Sequence, residues 1–400
     1  MRERPLSLAQ LLRDFRLQCQ SLAAKNNAGY RLEFKRLSEV GRELSTRAGD
    51  LDANRGKNRY PDILPYDHCR VTLSPQDSEL HSDYINASYV PGGVSERDFI
   101  CTQGPLRSTL ADFWRMVWEK NVHVIVMVTN CKENNKVLCE QYWPQEHTSV
   151  CYNRYQVTTV HQRRGPGCLI TTMHLRQMDS PTERRVTHYH YQGWPDRGVP
   201  RDLASFCSFA DHVRQQLDGA PCVGPAVVHC SAGVGRSGTF VAILRLMQMC
   251  ARSTQPDVRR VVYDLRRHRM MMVQTLEQYI FIHSCLLHWM AEEKSRYRSR
   301  SVESTRRTDT ERHPRQPTPQ PPPPWSWSRS GDRQRQEHLL QHGPPATLVS
   351  AGIQRLLSTN LLQRVRLGST QTPSLPGLRW DGMFPPHTNG DWGWARRYNF

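Results

Sequence analysis

Up to about residue 290, apolar runs of strand length alternate with segments whose apolar residues recur at helical spacing; beyond it neither pattern persists. Segments 122–128, 168–174, 186–191 and 226–229 read as strands, and segments 7–24, 110–119, 203–217, 238–250 and 275–292 read as helices. Strands interleaved with helices predict a single α/β domain over residues 1–290. No internal repeat is visible.

The remaining residues, 291–400, carry 13 of the 27 prolines, including the run 321–324, and 16 arginines against the single Lys294. Such a segment buries too little apolar surface to offset its ordering entropy and is expected to be a disordered tail. Two islands stand out in it. Residues 346–367 have apolar side chains at helical spacing, the pattern of a basic amphipathic helix, and residues 317–324 resemble a polyproline ligand.

Composition narrows the chemistry. The formal charge of +17 favours anionic partners. It divides into +9 for residues 1–290, from 37 basic and 28 acidic side chains, and +8 for the tail. No stretch reaches the ~20 apolar residues of a membrane helix, and the start lacks the apolar core of a signal peptide; a cytoplasmic location is expected. The twelve cysteines show no CxxC pair and no metal-ligand spacing, so neither a zinc site nor a disulfide framework is predicted.

The chemical centre is the strand at 226–229, which runs into residues 230–238 (CSAGVGRSG) and then a helix pattern. Three readings compete. Gly233, Gly235 and Gly238 satisfy the glycine pattern of a dinucleotide site, with Asp257 nineteen residues on. That site needs a second strand ending at the acid, whereas 249–256 is a polar turn and Val258, Val261, Val262 and Leu265 read as helix. A buried cysteine and a glycine-rich turn without chemistry form the second reading. A Cys six residues before an Arg is weak alone, since Cys101 and Arg107 show the same spacing around Pro105. The third is a phosphate cradle. Ser231, Ala232, Gly233, Val234 and Gly235 leave their N–H groups free to converge before a helix N-terminus. There they stabilise a nucleophilic thiolate at Cys230, and Arg236 adds a planar fork for phosphoryl oxygens. Residues 194–200 (WPDRGVP) supply an acid, Asp196, on a turn-rich loop suited to movement.

At this point residues 30–290 resemble the protein tyrosine phosphatases. The further motifs are 58–67 (NRYPDILPYD), 83–89 (DYINASY), 102–106 (TQGPL), 141–144 (QYWP) and 272–279 (MVQTLEQY). The resemblance is strongest to the cytoplasmic domain of receptor-type members. It implies one domain with a highly twisted mixed central sheet flanked by helices, acting on phosphotyrosine-containing proteins with no metal or other cofactor. The residual basicity then no longer argues for nucleic acid. This chain shows no membrane span, and a longer receptor form is compatible with it.

By that resemblance, Cys230 attacks phosphorus, while Arg236 and the amides of residues 231–235 hold the equatorial oxygens. Asp196 protonates the tyrosyl oxygen and then activates water, Gln274 positions that water, Gln278 contributes to substrate binding, and Ser237 donates to the departing thiolate. Glu133 orients Arg236, Tyr60 stacks on the substrate ring at a depth that excludes phosphoserine, and Asp62 holds the peptide backbone. Trp194 supports the acid loop. His229, Tyr84, Asn86 and Trp143 read as core or loop support, and the run Met270 to Met272 reads as packing.

Two positions depart from the family pattern. Leu138 stands where a lysine usually precedes the cysteine of C-x-Q-Y-W, and Leu244 replaces an acid in the helix after the nucleophile loop. Neither removes a reacting group, so an active enzyme, slowed at most, is expected. A phosphotyrosine-binding protein without turnover, its acid loop frozen by these changes, is the alternative. A third reading makes the chain a non-functional product of its altered tail.

Overall fold

The computed structural model describes residues 6–76, 80–95, 97–195, 198–219 and 224–311. Eleven strands occur among them: β1 (Arg70–Thr72), β2 (Tyr84–Val90), β3 (Phe99–Thr102), β4 (Val124–Met127), β5 (Lys132–Glu133), β6 (Lys136–Val137), β7 (Ser149–Tyr152), β8 (Tyr155–Gly165), β9 (Cys168–Gln177), β10 (Glu183–His190) and β11 (Ala226–His229). The helices are α1 (Leu8–Leu37), α2 (Arg47–Asp50), α3 (Asp52–Arg55), α4 (Leu110–Glu119), α5 (Leu203–Gly219), α6 (Gly235–Ala251), α7 (Val258–His268) and α8 (Leu276–Glu311).

Nine strands form one mixed sheet in the order β1-β2-β3-β11-β4-β10-β9-β8-β7, and β5 and β6 form a separate ribbon. The centre, β3-β11-β4-β10, is parallel, with antiparallel strands on either side. Central position explains the sequence of β11. All four of its residues are buried, Val228 among side chains from α1, α5, α6, α7 and α8 and Val227 among those near α4. A strand covered on both faces reads as a continuous apolar run. The α/β layering predicted from the alternation is the observed one.

Elements whose pattern is local match their sequence signals closely. Ser7 caps α1, accepting from the Gln10 amide while the Gln10 side chain accepts from the Ser7 N–H. That reciprocal cap explains why the helix starts there. The predicted end at 24 is a break: Lys25, Asn26 and Asn27 adopt φ of +52°, +56° and +61° before helix resumes to Leu37. β2, β3 and β8 were not predicted, because side chains such as Asn86, Ser88, Thr102 and Thr159 interrupt their apolar runs. Tertiary structure buries these polar groups by hydrogen-bonding several of them, as when Thr102 Oγ1 donates to the Asn86 carbonyl.

Described residues up to Arg307 belong to one compact unit, and a second begins at Thr308. Helix α8 continues to Glu311, past the compositional change at 291. Residues 312–400, with the proline run and the segment 346–367, lie outside the described residues. Among those described, no helix is long and apolar enough to cross a membrane.

Candidate active site

β11 ends at His229 and α6 begins at Gly235, so the segment between them closes a strand-to-helix turn at the C-terminal edge of the parallel strands. Sites in open α/β sheets occupy that edge. Cys230 is nearly buried, and its Sγ accepts from the Gly233 N–H at 3.2 Å. Gly233 has φ +74°, and a Cβ there would sit 2.2 Å from the Thr102 carbonyl oxygen, so any side chain would displace the turn.

The carbonyls of the loop each have a partner. The Cys230 carbonyl meets His229 Nδ1 at 3.2 Å, and that of Ser231 accepts from the Gly104 N–H at 2.9 Å. The carbonyls of Ala232 and Gly233 accept from Arg269, at 3.0 and 2.9 Å. That of Val234 accepts from the amides of Gly238 and Val273. With its carbonyls engaged, the loop leaves its N–H groups available for an anion nest, and that of Gly233 is directed at Cys230 Sγ.

His229 is fully buried and its ionisation is pushed down to about 3, chiefly by burial. Because a carbonyl oxygen only accepts, Nδ1 of this neutral ring carries the hydrogen, and Nε2 accepts from Tyr142 Oη at 2.7 Å. Tyr142 Oη has one hydrogen, so the second contact, at 2.8 Å, is donated by His188 Nε2. His188 then bears a bare Nδ1, which is buried without a partner among the described residues. The chain His188–Tyr142–His229 thus ends on the carbonyl of Cys230.

Arg236, in the first turn of α6, donates in bidentate fashion to Glu133, at 2.8 and 2.9 Å. It also donates to Thr129 Oγ1 and to the Pro195 carbonyl, both at 3.0 Å. The guanidinium is thereby fixed in one plane, with the segment carrying Trp194 and Pro195 drawn to it. Trp194 is buried edge-on against Phe206, and its Nε1 donates to the Gly198 carbonyl at 3.2 Å. Asp196 lies outside the described residues. A cleft of about 530 Å³ opens beside this arrangement, lined by Glu133, Tyr191, Trp194, Pro195 and Arg201 among others.

Tyr60 reaches the loop that follows β11, its Oη 2.8 Å from Ser231 Oγ. Burial raises its ionisation, so it is an uncharged phenol. Ile63, Ala232 and Val234 pack with it. Asp62 is exposed. Gln274 and Gln278 lie against Gly235: a Cβ there would meet Gln274 Oε1 at 3.0 Å and Gln278 Nε2 at 3.1 Å. Gln278 also accepts from the Gln274 N–H. Ser237 Oγ is buried with no hydrogen-bond partner among the described residues. The structure therefore gathers Cys230, Arg236, Glu133, Tyr60, Gln274 and Gln278 around one loop.

The competing signals resolve into structural roles. Cys101 sits fully buried on β3, where burial pushes its thiol up to about 12, whereas Arg107 opens a short 3₁₀ turn. Asp257 caps α7 by accepting from the Arg260 N–H. Asn86 and Tyr84 both bond Asn58, which supports the Tyr60 loop. Leu138 and Leu244 are buried, and Leu244 belongs to the apolar cluster under α6, so packing fills the place of the expected acid.

Sequence reasoning missed three arginines. Arg269 is fully buried and, besides the two loop carbonyls, donates to Ser88 Oγ and Asn86 Oδ1. Arg266 donates to the carbonyls of Leu37, Met272 and Val273. It holds Val273 at φ +61°, a strained value for a β-branched residue, immediately before Gln274. Arg59 donates to the carbonyls of Gly104, Pro105 and Val137. Each ties a site loop by main-chain acceptors, which carry no sequence signal.

Residues 54–288 match the family described as protein-tyrosine phosphatase. The chain is 42% identical over 281 residues to receptor-type tyrosine-protein phosphatase V of Rattus norvegicus, covering 70% of this chain and 16% of that protein. It is 44% identical over 264 residues to receptor-type tyrosine-protein phosphatase eta of Mus musculus, covering 66% and 21%. To receptor-type tyrosine-protein phosphatase H of Homo sapiens it is 40% identical over 267 residues, covering 67% and 24%. The chain therefore spans less than a quarter of the length of these relatives.

Proposed function

Because this chain belongs to the protein-tyrosine phosphatase family, we propose that it hydrolyses phosphotyrosine in proteins through a cysteinyl-phosphate intermediate. The observation that carries this reading is the nucleophile loop: Cys230 Sγ accepts a loop amide at 3.2 Å, under an Arg236 fork fixed by Glu133.

In this reading the phosphoryl group sits in the amide nest against the Arg236 guanidinium, and Tyr60 lines the slot for the phenyl ring. The Cys230 thiolate attacks phosphorus in line with the tyrosyl oxygen. Asp196 gives its proton to that oxygen, so neutral tyrosine leaves. Water placed by Gln274 then attacks the cysteinyl-phosphate, its proton passing to Asp196, and the thiolate departs toward the hydroxyl of Ser237. Charge on the equatorial oxygens is met throughout by fixed donors, the arrangement that stabilises phosphoryl transfer most. Asp62 holds the peptide backbone beside the slot.

The receptor-type names of the relatives, and the small share of their length matched here, support reading this domain as the cytoplasmic catalytic part of a longer receptor.

The test is hydrolysis of an aryl phosphate in the presence of a chelator. Turnover by the wild-type chain, abolished in Cys230→Ser, supports the reading; turnover that survives Cys230→Ser overturns it. Phosphopeptide binding without any turnover would favour the binding-only alternative.

A further inference from the structure

The β5–β6 ribbon carries a cation whose position the mechanism above does not use. Glu133 and Lys136 are direct cross-strand partners, so their side chains leave the ribbon on one face. Glu133 uses that face to reach Arg236. Lys136 projects beside it, with Nζ 5.5 Å from the centroid of the Tyr60 ring. The ribbon is fastened to the Tyr60 loop, because Arg59 donates to the Val137 carbonyl at 3.0 Å. Lys136 is therefore held at the rim of the slot, exposed, and forms no salt bridge among the described residues. Asp62, two residues beyond Tyr60, is also exposed.

A solvent-exposed lysine against an aromatic ring gains about 0.5–1 kcal/mol, little enough to be exchanged for an incoming carboxylate. Residue 138 is buried leucine here; the family's usual lysine at that position is absent, and Lys136 stands two residues before it on the ribbon.

We propose that Lys136 is a specificity-determining residue that recognises a carboxylate side chain next to the phosphotyrosine, so that the preferred substrates carry Asp or Glu flanking it. This rests on the reading that phosphotyrosine occupies the Tyr60–Cys230 slot. It assigns to Lys136 the choice among phosphotyrosine segments and none of the reacting steps.

The experiment measures fluorescence anisotropy of labelled phosphotyrosine peptides with acidic, glutamine or lysine flanks, bound to the full chain carrying Cys230→Ser. Lys136→Gln should lower the acidic-to-neutral affinity ratio about threefold, the size of an exposed ion pair. Lys136→Glu should shift preference to the lysine-flanked peptide, Lys136→Arg should keep the acidic preference, and salt should erase it. A ratio unchanged in both Lys136→Gln and Lys136→Glu overturns the proposal while leaving the phosphatase reading intact. Failure of every phosphopeptide to bind overturns both.

Discussion

Cys230 and Arg236 were legible because their chemistry is written in adjacent residues: a small-residue loop between a strand and a helix leaves little for tertiary context to add. Glu133 was legible only through motif context, being an ordinary acid beside Lys132 until the ribbon turns it toward Arg236. Its role is positioning, so Glu133→Gln should lower kcat about 10²-fold by freeing the guanidinium plane, with a smaller change in KM. Steady-state kinetics with an aryl phosphate decide this, and a change confined to KM would contradict it. The same thiolate chemistry predicts that peroxide inactivates the enzyme reversibly, through sulfenic acid or a cyclic sulfenamide at the Ser231 nitrogen. Activity that no reductant restores would contradict that prediction.

At the scale of elements, α4 and β11 were read from sequence with their observed bounds, since an amphipathic helix advertises itself by periodicity and a buried parallel strand by a continuous apolar run. β2 was invisible because Asn86 and Ser88 break its apolar run, and both turn out to bond Arg269. Those polar residues hold a buried guanidinium, which in turn holds the loop around Cys230. Arg269→Met should therefore cost more than its packing: two loop carbonyls lose their donor, and the loop loses the constraint that aims its amides at Cys230. We expect a lower urea midpoint and a fall in kcat of about 10²-fold. Arg269→Lys should rescue neither fully, because an ammonium cannot span the same acceptors. Full activity in a stable Arg269→Met enzyme would refute this account of the loop.

Across the whole molecule, the positive charge acquires a local explanation. Arg59, Arg266 and Arg269 spend their donors on main-chain carbonyls inside the domain, leaving part of the basic excess with no external partner to explain. Burial leaves those arginines charged but neutralises histidines: His229 and His283 are depressed to about 3 and about 4, and His188 lies well below the ordinary 6.5, all chiefly through burial. Folded, these rings stay neutral; unfolded, they take up protons below about 6.5. Their contribution to stability is therefore complete above that pH and is lost as pH falls from about 6.5 toward 3, by up to about 1.4 kcal/mol per pH unit for each ring. Urea denaturation should show a midpoint that drops between pH 7 and pH 5, and His283→Gln should flatten the dependence; a pH-independent midpoint would contradict the assignment of neutral buried rings.

The central claim is that phosphate passes through Cys230. Rapid acid quench of the full chain during turnover of a phosphotyrosine peptide, followed by mass spectrometric mapping, reads it directly. Phosphate on the peptide containing Cys230, absent in Cys230→Ser, is the predicted result; turnover with phosphate trapped on a different residue would contradict it.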